Sequence, residues 1–244
     1  VSEDRLDDLK AERDDHASSV RLGGHRPKLS RSVAGPVTAL LRERIISGDL
    51  RPGTKLTELG LGEELAVSRG PVRNALQALE AEGLVASQAN GRVVVVGFDD
   101  ADFEDLLDTR YVLEVAAAER AFARGADFAQ LADTLRVMEG EVAPTSRLVD
   151  LDVEFHLGLL EASGSRFLMN AWLQSSPVIH ASITITNEQM AKADAARGLA
   201  LGLEKHRVIL ERLNAQDLEG VSQMLFEHFG FSESYFSAHR DPSR

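Results

Sequence analysis

The chain contains no cysteine in its 244 residues. Disulfide frameworks and thiolate metal sites are thereby excluded. It has one tryptophan, and aromatic residues make up only 5% of the total, so a core must be built from Leu, Val, Ala and Ile. No apolar run approaches the roughly 20 residues needed to cross a bilayer. The opening stretch, Val1 to Asp15, is acidic and polar and does not read as a signal peptide. The expectation is a soluble cytoplasmic protein with no membrane partner. Positive charge is scarce too: 27 Lys+Arg stand against 39 Asp+Glu, a formal net charge of −12. Spread evenly, that balance would argue against nucleic acid, whose phosphates need a positive footprint.

The charge is not spread evenly. Residues 1–35 hold seven basic and seven acidic residues, and so do residues 36–97. Residues 98–244 hold 13 basic and 25 acidic, which is the whole surplus. Within the first stretch, Arg21, Arg26, Lys28 and Arg31 form a basic run without an acid. Such asymmetry predicts units with different partners. Three divisions follow: a flexible arm over 1–34 without sustained periodicity, a segment 35–97, and a segment 98–244.

The middle segment reads as three helices and a wing. Val37, Leu40, Leu41, Arg44 and Ile45 have helical spacing behind Pro36. Thr57 can cap a short second helix, and Ser68 a third whose stripe is Val72, Leu76 and Leu79. Gly83 supplies a left-handed stop. Two apolar runs, 84–87 and 92–96, flank Asn90-Gly91, a strong hairpin signal. This is the order of a winged helix-turn-helix. Its third helix opens on Ser68-Arg69-Gly70-Pro71-Val72-Arg73, with Arg69 and Arg73 four apart on the face opposite the apolar stripe. Arginine suits guanine O6/N7 or a phosphate, because its fork makes two hydrogen bonds at once.

Residues 98–244 read as helical throughout, with expected helices over 99–124, 127–142, 146–163, 167–187, 191–214 and 217–238. The fold class is therefore mostly α: an N-terminal winged helix-turn-helix, then an all-α antiparallel bundle of six or seven helices. Asp152 and His156 are i, i+4 on one inward face. His206 and His228 lie on the apolar sides of the last two helices. These helices meet at Asn214–Asp217, which puts the two histidines roughly 12 and 17 Å from the turn. In an antiparallel pair they converge. Three imidazoles and a carboxylate suit a first-row divalent ion, zinc first and nickel or manganese next, with positions left for water or a ligand.

Two stretches carry a family resemblance. Residues 41–56, Leu41-Arg42-Glu43-Arg44-Ile45-Ile46-Ser47-Gly48-Asp49-Leu50-Arg51-Pro52-Gly53-Thr54-Lys55-Leu56, and residues 67–85, from Val67-Ser68-Arg69-Gly70-Pro71-Val72-Arg73 to Glu82-Gly83-Leu84-Val85, resemble the DNA-binding domain of the GntR family of bacterial regulators. The resemblance implies an operator-binding winged helix. It makes Arg69 and Arg73 the DNA-contacting arginines and Ser68 and Gly70 phosphate-bonding neighbours. It makes Asn90-Gly91 a wing tip for the minor groove. From the charge map, Arg92 can join Arg69 and Arg73 on one basic face for DNA. Gly70 stands where the family commonly has Thr, and Asn74 where it usually has Glu. Asp152-Val153-Glu154-Phe155-His156, Glu204-Lys205-His206 and Glu227-His228 are similar to the ligand-binding FCD domain of the FadR-type subfamily. There the matching Asp and three His hold a divalent metal. The resemblance also places Arg110 near the pocket, where it would hold an effector carboxylate; by spacing alone it is an i, i+4 partner of Glu114. His180 and Thr184 are further pocket-lining candidates, and His16, His25 and His239 read as solvated. Gly164-Ser165 replaces the Asn that usually follows the first metal helix.

The function expected is a ligand-responsive transcriptional regulator, a repressor, bound as a homodimer to a palindromic operator. It would sense a small carboxylate metabolite through a metal-containing helical domain. The alternatives are a metal-dependent hydrolase or lyase tethered to DNA, or a regulator whose metal is only structural. The sequence carries no His-Glu-x-x-His and no Gly-x-Ser-x-Gly, and so no catalytic residue is assigned.

Overall fold

Helix caps and left-handed glycines set the boundaries of the first elements. The computed structural model describes residues 35–89, 91–141 and 145–229, with the backbone path alone for 186–199. The arm over 1–34, Asn90, the break at Pro144, the last helix beyond 229, and His16, His25 and His239 lie outside the described residues. Helix α1 runs Pro36–Ile46, α2 Glu58–Glu64 and α3 Arg69–Ala81. Pro36 needs no N–H partner in the first turn of α1. The Thr57 hydroxyl accepts from the Gly60 amide and starts α2. Ser68 occupies the position before α3, but its side chain makes no cap bond. Gly83 ends the helix with φ +78°, a conformation that costs other residues energy.

Strands β1 (Lys55–Leu56), β2 (Val85–Ser87) and β3 (Val93–Val95) form an antiparallel sheet in the order β1-β3-β2. Lys55 pairs with Val94, and Ser87 with Val93. The hairpin between β2 and β3 was expected; β1 was not, because two residues are too few to show a period. Leu41, Ile45, Val72, Ala75, Leu79, Val85 and Val95 form the core here. One expected contact differs. Leu40 is exposed, while Thr38 and Arg42 of α1 are buried. Arg42 is drawn inward by Glu82, whose two carboxylate oxygens accept from its Nε and Nη2, each at 2.6 Å. A buried guanidinium needs such a partner, and the partner is 40 residues away.

Among the described residues five helices follow: α4 (Asp100–Ala123), α5 (Ala129–Glu139), α6 (Ser146–Ala162), α7 (Arg166–Asn214) and α8 (Leu218–His228). A capping box of Asp99 and Asp102 opens α4, Thr145 caps α6 and Asp217 caps α8. A second core gathers Ala117, Phe155, Leu159, Trp172, Ile209, Leu213 and Leu225. None of the described helices is long and apolar enough to cross a membrane.

The helices expected at 167–187 and 191–214 are one element, α7, of 49 residues. Its two ends cannot be collinear. His180 meets Asp150 at 2.9 Å and His206 meets Asp152 at 3.1 Å, which limits their Cα atoms to about 28 Å apart at full side-chain reach. A straight helix would separate them by roughly 39 Å. The axis of α7 therefore turns between them. Its first half also crosses to the other core: Val178, just after Pro177, is buried among the winged-helix residues and packs toward α1.

Candidate metal centre and DNA-facing helix

Three helices bring four polar groups into the second core. Helix α6 places Asp152 and His156 one turn apart, α7 supplies His206 and α8 supplies His228. One ligand atom from each lies within 4.8 Å of all the others. Two bonds of roughly 2.1 Å to a central zinc span at most about 4.2 Å, so a small inward shift closes the set. The apolar packing of Ile209, Leu213 and Leu225 brings the α7 and α8 histidines together.

The direction of each ring shows what the cluster suits. His156 Nδ1 lies 2.5 Å from Glu114 Oε2, and His206 Nδ1 lies 2.8 Å from the Gly202 carbonyl. Both partners only accept, so both Nδ1 atoms donate. With Nδ1 as the donor, the neutral form of each ring presents its Nε2 lone pair to the centre. His206 Nε2 faces Asp152 Oδ1 at 3.1 Å yet makes no hydrogen bond. His156 Nε2 sits 3.0 Å from His228 Nε2. His228 Nδ1 and Asp152 Oδ2 are buried without hydrogen-bond partners. Lone pairs turned on a carboxylate repel unless a cation stands between them. The residues present fit a divalent metal.

Electrostatics agree. Burial, and then the His206 and His156 rings, hold His228 well below the usual imidazole range. Burial and the Arg110 charge lower His156. Burial opposes the ionisation of Asp152, yet the facing His206 and His156 rings and the Arg110 guanidinium keep its carboxyl well below the usual range. These are the states a metal needs: neutral imidazole and ionised carboxylate.

Beside the cluster lies Arg110, 3% exposed. Its Nε donates to Glu114 at 2.8 Å, and its guanidinium stacks 4.5 Å over Phe229. Its Nη2 is 3.6 Å from Asp152 Oδ2 and has no hydrogen-bond partner. Glu114 is the residue that sequence reasoning passed over as an ordinary pair. It is fully buried and serves His156, Arg110 and the Trp172 indole, the last at 3.3 Å. Its signal was its place on the inward face of α4 with Ala117 and Ala121. His180 and Thr184 do not join the cluster. His180 is half-exposed on Asp150, and Thr184 donates to the His180 carbonyl.

The DNA-facing candidates sit on the other unit of packing. Ser68, Arg69, Gly70 and Arg73 are all exposed at the start of α3, while Val72, Leu76 and Leu79 are buried. Gly91, at φ +75°, and Arg92 are exposed on the hairpin. Arg73 already has a partner, which the sequence did not reveal. Its Nε and Nη2 donate to the two oxygens of Glu58 at 2.7 and 2.8 Å.

Comparison with known proteins joins these two observations. Residues 105–231 match the family model described as the FCD domain, and residues 34–95 match that of bacterial regulatory proteins, gntR family. The gluconate operon transcriptional repressor of Bacillus licheniformis is 27% identical over 206 residues, covering 82% of this chain and 84% of its own. A putative L-lactate dehydrogenase operon regulatory protein of Escherichia coli (strain K12) is 27% identical over 228 residues, covering 84% of each. Among solved structures, the Lar protein that controls the Listeria monocytogenes agr system superposes with a TM-score of 0.59 at 25% identity, covering 79% of this chain and 91% of that one.

Proposed function

The chain belongs to the GntR family of transcriptional regulators with an FCD domain, and from that premise we propose that it is a repressor that binds a palindromic operator as a homodimer and responds to a small carboxylate. In this reading the work divides near residue 97, between operator binding and effector sensing, and takes place in the cytoplasm. Membership of a regulator family also sets aside the reading of a DNA-tethered hydrolase or lyase.

The observation that carries the effector class is the buried charge around Arg110. One guanidinium faces two carboxylates, Glu114 and Asp152, beside neutral imidazoles. The cluster alone is therefore one unit negative. A divalent ion held by Asp152, His156, His206 and His228 reverses the sign, and one ligand carboxylate then restores neutrality. The unpartnered Nη2 of Arg110 supplies the hydrogen-bond donor for that carboxylate. The metal, when bound, supplies a Lewis-acidic site for an anionic oxygen. Two relatives are named for the gluconate operon and the L-lactate dehydrogenase operon, and gluconate and lactate are both hydroxycarboxylates.

Operator contact is assigned to Ser68, Arg69, Gly70 and Arg73 on α3 and to the hairpin at Asn90, Gly91 and Arg92. One short helix offers few base contacts, and a two-fold operator doubles them for a dimer. A ligand acts only by preferring one of two arrangements of that dimer.

Calorimetry with gluconate, L-lactate and citrate, on zinc-loaded and chelated protein, tests the reading. Binding of at least one acid that is lost on chelation and in Arg110→Ala is expected. Equal affinity without metal would make the metal only structural.

A further inference from the structure

The Arg73–Glu58 pair bears on how the recognition helix reads DNA. A guanidinium has two edges that can each make a pair of parallel hydrogen bonds. In Arg73 the edge formed by Nε and Nη2 is taken by both carboxylate oxygens of Glu58. The edge formed by Nη1 and the second Nη2 hydrogen is not used by that pair. Arg73 is exposed, with 60% of its side-chain surface open, whereas Glu58 is about half as exposed. Glu58 is the first residue of α2 and Arg73 lies in the second turn of α3, so the pair ties the two helices of the helix-turn-helix together. The charge of Arg69 also acts on Glu58, which places all three side chains in one patch.

We propose that Glu58 is a positioning residue that makes Arg73 a guanine reader instead of a phosphate clamp. The inference rests on the assignment of Arg73 to operator contact. Two physical effects support it. Bidentate seating freezes the guanidinium plane, so its open edge meets guanine O6 and N7 with little further loss of side-chain freedom. A carboxylate beside the arginine also repels phosphate oxygens, which removes one attractive contact from every non-operator sequence. Specificity is a difference of affinities, and it grows when the wrong complex is weakened. This matters for a winged-helix segment with no net charge, because non-specific binding is almost wholly phosphate attraction.

The experiment is selection from a random-sequence duplex library with the wild type, Glu58→Gln, Glu58→Ala and Arg73→Ala, followed by salt titration on one scrambled duplex. Unfolding midpoints check that each variant is folded. The wild type should enrich a guanine at one fixed position of each half-site. Both Glu58 variants should lose that preference by on the order of 10- to 100-fold. Their log–log salt slope on the scrambled duplex should steepen by about 0.9 for each arginine released to a phosphate. A guanine preference that survives in Glu58→Ala overturns the proposal. A preference that survives in Arg73→Ala shows instead that Arg73 is not the reader, and the assignment beneath the proposal fails.

Discussion

The indole N–H of Trp172 lies 3.3 Å from the Glu114 carboxylate, and that carboxylate holds His156 of the candidate metal centre through its other oxygen. The chain has a single tryptophan, and it is fully buried. Its emission is therefore a built-in report on the metal site. Zinc titration should shift or quench the fluorescence of the chelated wild-type protein in a saturable way. The same titration of His206→Ala should produce little change.

Glu114 fixes the tautomer of His156, and partners that orient a metal-bound imidazole typically contribute 10- to 100-fold in metal affinity. Glu114→Gln is expected to weaken zinc binding by about that factor in a competition assay. Glu114→Ala should also lower stability by about 3–5 kcal/mol, because buried Arg110 loses the carboxylate that accepts its Nε–H. Wild-type zinc affinity in the Gln variant would remove Glu114 from its positioning role.

Removing the metal should cost stability as well as occupancy. A ligand at 100 times its dissociation constant stabilises the folded state by about 2.7 kcal/mol. Chelation should lower the unfolding midpoint of the wild type, and His206→Ala should start from the lower value and respond little. Retention of full metal content by His206→Ala would take that residue out of the ligand set.

In the winged helix, Glu82→Ala leaves Arg42 buried and unpaired, at a cost of about 3–5 kcal/mol in urea unfolding. A Glu82→Ala, Arg42→Met double change should recover most of the loss, since apolar replacement of a whole buried pair is often neutral.

Arg69→Ala is expected to weaken binding to the selected operator while leaving the unfolding midpoint unchanged, because Arg69 is exposed on α3. Gel-shift titration beside a thermal melt separates the two effects.

The readable parts of the molecule were those set by local chemistry or by a period. Gly83, the hairpin around Gly91 and the Thr57 cap each follow from one residue's backbone or hydroxyl preference. The metal cluster followed from inward faces on three helices and the turn at Asn214–Asp217. What escaped depends on partners distant in sequence. Arg42 stands outside the expected stripe and is drawn inward by Glu82, and Leu40 is exposed instead of filling the face it was expected to fill. Arg110 and Glu114 looked like an ordinary helical pair, because neither His156 nor Trp172 is visible from their spacing. Strand β1 exists only because β3 offers it hydrogen bonds. The two helices expected on either side of residues 188–190 join in α7, and no Gly or Pro stands at 188–190 to stop a helix.

Val178 gives the boundary near residue 97 a different meaning. The family models divide the chain in sequence, but the packed interior of the first part is completed by a side chain from the helix that also carries Trp172. A fragment ending at residue 97 would expose apolar surface on α1 and have an incomplete interior. Grafting another domain onto this winged helix would require a replacement plug at the same place. A rotation of α7 around Trp172 would reach the DNA-binding part as a push on its interior, with no need for a taut linker.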